Sequence, residues 1–128
     1  MMPKALVVED EAIAAMAISL MLESIGFTVV GVAVSGREAM DLAVEYLPDV
    51  ILMDVRLKGE ISGIDSAKAI QSRLRIPIIF TTAYSAEELR ETCDVDDGFL
   101  FVTKPIREDE LAQAVSAACG QGRTAVSG

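Results

Sequence analysis

The chain of 128 residues contains no histidine. That absence excludes a Ser-His-Asp triad, a Cys-His dyad and any zinc site that needs an imidazole ligand. Cysteine is nearly absent as well. Cys93 and Cys119 stand far apart without metal-ligand spacing, so free thiols in a reducing compartment are expected. Bases are outnumbered, 11 against 20 acids, and a net charge of −9 disfavours nucleic acid as a direct partner. The most apolar run, AIAAMAISLML from Ala12 to Leu22, is too short to cross a bilayer, so no membrane partner is expected. The start, MMPKALVVEDE, lacks a long apolar segment and meets three acids by residue 11. No secretory leader is therefore expected, and the location is read as cytoplasmic. Any chemistry must run on carboxylates, hydroxyls and lysines.

What is present is an ordinary globular mix, 52% hydrophobic and 24% charged, in a chain of one-domain length. ALVVE (Ala5–Glu9) reads as a short strand, followed by a helical pattern with Ile13, Met16, Ala17 and Leu20 at i, i+3, i+4 and i+7. Met16, Met21 and Met40 are expected in the core, and Gly26 is placed to close the first helix. A second strand, Phe27–Val34, leads to Ser35, which with Glu38 forms a capping box for a helix to about Tyr46. After Pro48 comes a doubly apolar strand, Val50–Asp54, then a helix from Ile64 to Leu74 and the strand IIFTT behind Pro77. A helix is expected from near Ser85, a fifth strand over Gly98–Thr103, and a last helix from Arg107 to Ala118. Residues 1–119 are thus expected to form one domain, with GQGRTAVSG (residues 120–128) as a flexible tail. Strict alternation implies an α/β fold, (βα)5, with a doubly wound parallel sheet covered on both faces. Such sheets bind ligands beyond the carboxyl ends of their strands.

Those ends carry an unusual inventory. Strand one runs into Glu9, Asp10 and Glu11, strand three into Asp54, strand four into Thr81, Thr82 and Ala83, and strand five into Thr103, Lys104 and Pro105. Carboxylates gathered in one pocket repel one another. A hard divalent cation, Mg²⁺ or in its place Mn²⁺, relieves this and can bridge to phosphate oxygens. Lys104 adds a fixed positive charge and Thr82 a hydroxyl donor. A metal, an ammonium and a hydroxyl around a carboxylate are what phosphoryl transfer to that carboxylate requires.

The segments LVVEDE, DVILMDVRLKG, FTTAY and FVTKP, in that order, resemble the receiver domains of two-component response regulators. The match covers about residues 4 to 119 and is similar to the stand-alone chemotaxis regulator. The resemblance implies a flavodoxin-like sheet of strand order 2-1-3-4-5. It implies that Asp54 accepts a phosphoryl group from a sensor histidine kinase or a histidine phosphotransfer protein. Asp10 would be the direct metal ligand, Glu9 would act largely through water, and Asp54 and the Arg56 carbonyl would complete the set. Thr82 would hydrogen-bond the phosphoryl oxygen, Lys104 would pair with it, and Pro105 would follow through a cis peptide bond. Phe101 would be the aromatic switch, turning inward as Thr82 is drawn to the phosphate. The change would be read on the face built from strand five and the helices on either side of it. Beyond metal-dependent self-phosphorylation and slow autodephosphorylation, no enzyme activity is implied.

The chain departs from the family pattern at Glu9, in place of aspartate, and at Phe101, in place of tyrosine. VRLKGEISG lacks the usual Met-Pro and is about one residue longer, and CDVDDG replaces a small-residue turn. A haloacid-dehalogenase-type hydrolase would need an aspartate where Arg56 stands. A flavin or dinucleotide site would need a glycine- or hydroxyl-rich loop where EDE stands. A non-phosphorylated interaction module remains an alternative, as does a receiver segment of a longer regulator with a catalytic or DNA-binding output. A stand-alone receiver would act on a downstream protein target or through a phosphorylation-dependent homodimer. The resemblance further implies that Arg56 and Tyr84 flank the phosphoryl group, where both are bulky enough to hinder an attacking water. Replacing both by alanine should shorten the phosphorylated lifetime several-fold in a dephosphorylation time course. An unchanged rate would refute the shielding role.

Overall fold

Long connections separate five short apolar strands, and parallel pairing needs connections of that length. The computed structural model describes residues 2–56, 63–83 and 100–127, the last eight as backbone alone. The strands are β1 (Lys4–Val8), β2 (Thr28–Ala33), β3 (Val50–Asp54), β4 (Ile78–Thr82) and β5 (Leu100–Thr103). They form one sheet in the order β2-β1-β3-β4-β5, all pairs parallel, as expected. The helices described are α1 (Ala12–Ser24), α2 (Gly36–Tyr46), α3 (Gly63–Gln71) and α4 (Glu108–Ser127). The helix expected from Ser85 lies outside the described residues, as do Tyr84, Cys93 and residues 57–62.

Alternation along each strand divides the core into two layers. Leu6, Val8, Ile51, Met53, Ile78 and Phe80 point to the face covered by α2 and α3, where Ala39, Ala43, Ile64, Ala67 and Ile70 meet them. Ala5, Val7, Val50, Leu52 and Ile79 point to the face covered by α1 and α4, against Ala15, Ile18, Leu22, Leu111 and Val115. All five residues of β3 are buried, so the central strand has no freedom to shift. The capping signals hold. The Glu38 amide donates to Ser35 Oγ at 3.2 Å, and the Glu38 carboxylate accepts from the Val34 amide at 3.3 Å. Gly26, at φ +102°, closes the turn after α1 in the left-handed region that glycine enters freely. No helix among the described residues is long and apolar enough to cross a membrane.

Two expectations fail. α1 buries Ala15, Ile18 and Leu22, whereas Ile13, Met16 and Leu20 are 84%, 63% and 60% exposed. Met16 is therefore not a core residue, although Met21 and Met40 do pack against the two layers. The reason is that α1 is apolar around its whole circumference, so periodicity alone cannot choose a face. The second concerns the end of the last helix. α4 continues to Ser127, past the expected end at Ala118. No proline follows Ala118, and extending an existing helix needs only one hydrogen bond per residue. Gly120 and Gly122 each cost about 1 kcal/mol against alanine, which weakens the helix without ending it.

The buried face of α1 is open to test by urea unfolding. Leu22→Ala should cost about 2–5 kcal/mol, and Ile13→Ala should stay within about 0.5 kcal/mol of the parent. Equal losses at the two positions would place the wrong face inward.

Candidate functional site

β1 and β3 are neighbours, while the helices that follow them, α1 and α3, cover opposite faces of the sheet. A crevice therefore opens above their carboxyl ends, at the switch in strand order. Register places the contributors on one rim. Val8 pairs with Met53, so Glu9 and Asp10 rise beside Asp54. Asp54 pairs with Thr81, and Thr82 with Thr103, which brings Lys104 to the same level. The Lys104 amide donates to the Thr82 carbonyl at 2.7 Å, and the Lys104–Pro105 peptide is cis.

Lys104 is the centre of the cluster. From β5 its side chain reaches across the end of β4 and donates to Asp54 Oδ2 at 2.8 Å and to Glu9 Oε1 at 2.9 Å. Both carboxylates are buried, Glu9 at 1% and Asp54 at 6% exposure, while the lysine side chain keeps 26%. The second oxygen of each acid is also engaged. Asp54 Oδ1 accepts from the Arg56 amide at 2.9 Å, and Glu9 Oε2 from the Glu11 amide at 3.2 Å. Glu11 itself sits at the N-cap of α1 and makes no side-chain cap bond.

Charge follows from this burial. Desolvation raises the pKa of Glu9, the hydrogen bond from Lys104 opposes that rise, and the neighbouring Asp54 adds to it. Burial alone would lower the pKa of Lys104, but the hydrogen bonds to Asp54 and Glu9 more than offset it, and the ammonium is held above its usual range. Glu9, Asp10 and Asp54 each present a carboxylate oxygen, all within 4.8 Å of one another. An all-oxygen donor set of this size fits a hard divalent cation. The mouth is a cavity of about 380 Å³ lined by Asp10, Glu11, Asp54, Arg56, Thr82, Ala83 and Lys104. A larger groove of about 490 Å³ lies at the opposite end of the sheet, where only Asp49 and Arg75 among the lining residues are charged.

Six expected residues thus meet at one rim: Glu9, Asp10, Asp54, Arg56, Thr82 and Lys104. Phe101 does not reach the cavity. It packs in the α2–α3 layer with its ring stacked on Phe80, centroids 5.4 Å apart and planes at 26°. The direct pairing of Glu9 with Lys104 is a contact that the sequence reading missed. The extra methylene of glutamate over aspartate is the signal that could have pointed to it.

The response regulator receiver domain model matches residues 5–116. The transcriptional regulatory protein PdtaR of Mycobacterium tuberculosis is 35% identical over 127 residues, which is 98% of this chain and 62% of that protein. The crystal structure of the anti-anti-sigma factor PhyR from Bartonella quintana superposes with a TM-score of 0.86 at 34% identity, over 99% of this chain and 51% of that one. The signal receiver domain of a modulated diguanylate cyclase from Desulfovibrio desulfuricans gives a TM-score of 0.84 at 30% identity, covering 97% and 98%. The chain therefore spans less than two thirds of the Mycobacterium protein that it matches.

The raised pKa of Glu9 carries a sign. The folded chain retains a proton on Glu9 at pH values just above 4.5, where the unfolded chain has released it. The associated stability is complete below 4.5 and is lost as pH rises through the folded value. Relative to Glu9→Gln, the parent should lose stability as pH rises above 4.5 in urea titrations. Parallel pH profiles for the two chains would contradict this.

Proposed function

The chain belongs to the family of response regulator receiver domains, and from that membership we propose that it is a phosphoacceptor switch in which Asp54 receives the phosphoryl group. The observation that carries the reading is the Lys104 ammonium held 2.8 Å from Asp54 Oδ2. An Asp54 carboxylate oxygen forms a bond to phosphorus while the bond from phosphorus to the donor's leaving atom breaks. With no histidine among these 128 residues, a phosphohistidine donor lies outside them, on a sensor kinase or a phosphotransfer protein. Phosphoryl transfer asks the protein mainly for positioning and charge neutralisation. Lys104 supplies one fixed positive charge, and as charge moves from the Asp54 oxygen to the phosphoryl oxygens the ammonium follows it. The Thr82 hydroxyl, at the cavity wall, donates to a phosphoryl oxygen.

Mg²⁺, when bound, neutralises the acids and the phosphoryl oxygens between them. Asp10, Asp54 and the Arg56 carbonyl would hold it, and Glu9 would act through water. Movement of Thr82 towards the phosphate would be relayed to Phe101, whose stacking on Phe80 leaves ring packing as its means of response. The switched surface then acts on a protein target in the cytoplasm or on an output segment of a longer regulator. Receivers that work without phosphorylation would not need both the acceptor and the lysine, and both are in place.

Incubation with acetyl phosphate and Mg²⁺ should add about 80 Da to the intact mass of the parent chain. The gain should vanish with EDTA and be absent from Asp54→Asn. An equal gain in Asp54→Asn would move the acceptor elsewhere.

A further inference from the structure

Asp54 ends a strand buried along its whole length, but the chain leaves that strand at once, and something must fix its last peptide units. Val55 is tied to β4 by its amide, which donates to the Thr81 carbonyl at 3.2 Å. The carbonyl of Val55 accepts from the amide of Gly63, the first residue of α3, at 3.0 Å. Gly63 thus closes the base of the connection between β3 and α3. A Cβ on Gly63 would overlap the carbonyl oxygen of Asp54 and lie 3.0 Å from both the Asp54 carbonyl carbon and Val55 Cα. These are backbone atoms, so no change of rotamer relieves the clash. The requirement is one of space, since Gly26 is the glycine found at positive φ among the described residues.

We propose that Gly63 is a positioning residue for phosphoryl transfer: its bare Cα lets α3 pack directly on the Asp54 peptide and so fixes the acceptor. The inference rests on the reading of Asp54 as phosphoacceptor. A side chain at 63 pushes the peptide units of Asp54 and Val55 off α3. The groups displaced are those that the chemistry needs, the Asp54 carboxylate with its bond from the Arg56 amide at 2.9 Å and the Arg56 carbonyl beyond it. Misplacing reacting groups by about 1 Å costs on the order of 100-fold in rate. Gly31 offers a control, because a Cβ there meets a Leu42 methyl at 3.4 Å, the movable end of a side chain.

The test compares Gly63→Ala with Gly31→Ala for melting temperature, for phosphoryl uptake from acetyl phosphate with Mg²⁺, and for the Arg56 amide resonance without donor. Gly63→Ala should slow uptake on the order of 100-fold and shift the Arg56 amide. Gly31→Ala should leave both unchanged whatever its effect on stability. An unshifted Arg56 amide with full uptake in Gly63→Ala overturns the proposal, as does a loss of uptake that tracks stability in both variants. If the parent takes up no phosphoryl group, the functional reading fails, and the amide shift alone then decides whether Gly63 positions Asp54. If Gly63→Ala does not fold, amide exchange in the parent decides. Protection of the Gly63 amide equal to that of Val55 supports the tie, and exchange at the rate of an exposed amide overturns it.

Discussion

One ammonium group joined to two buried carboxylates is the interaction on which the rest of this molecule depends. Glu9 and Asp54 sit at the ends of adjacent central strands, nearly without water, and neither charge could remain there alone. Lys104 makes the pair tolerable by donating to both at 2.9 and 2.8 Å. Removing one partner of a buried ion pair commonly costs about 3–5 kcal/mol, because the other charge is left uncompensated. The same arrangement leaves the site with unspent negative charge, since three carboxylates gather where one lysine pairs with two of them. A structure that keeps such an imbalance beside a cavity is prepared for a further cation and for an anionic group that the lysine can follow.

The scaffold makes that preparation rigid. β3 is buried on both faces, so Asp54 is held by two core layers rather than by a surface loop. Lys104 enters from β5 on an amide bonded to Thr82, which links the ammonium to the strand that carries the hydroxyl. Gly63 brings α3 against the Asp54 peptide. Positioning of this kind, supplied by strands and a close helix, is what a reaction governed by geometry and charge requires.

Much of this was legible in the residues themselves. Val50–Met53 is apolar throughout and runs into the Asp54 carboxylate, as a central parallel strand with a polar rim would. The alternation of elements then dictates that Glu9, Asp10, Thr82 and Lys104 share that rim, whatever their distance along the chain. What stayed hidden depended on packing that pattern does not encode. α1 offers apolar residues on every side, so Ile13, Met16 and Leu20 imitate a core face that is in fact exposed. Glu9 reaching Lys104 depends on one methylene, and the need for glycine at 63 depends on a contact between backbones that no periodicity announces. The continuation of α4 past Ala118 reflects the low cost of extending a helix that already exists.

The central claim is that Asp54, and no other acid of the rim, carries the phosphoryl group. Hydride reduction decides it directly, because an acyl phosphate is reduced to a primary alcohol while free carboxylates are left intact. After phosphorylation and borohydride treatment, peptide mapping should find homoserine at position 54 and aspartate at position 10. Homoserine at position 10, or an unreduced Asp54 in a chain that has gained phosphate, would contradict the account.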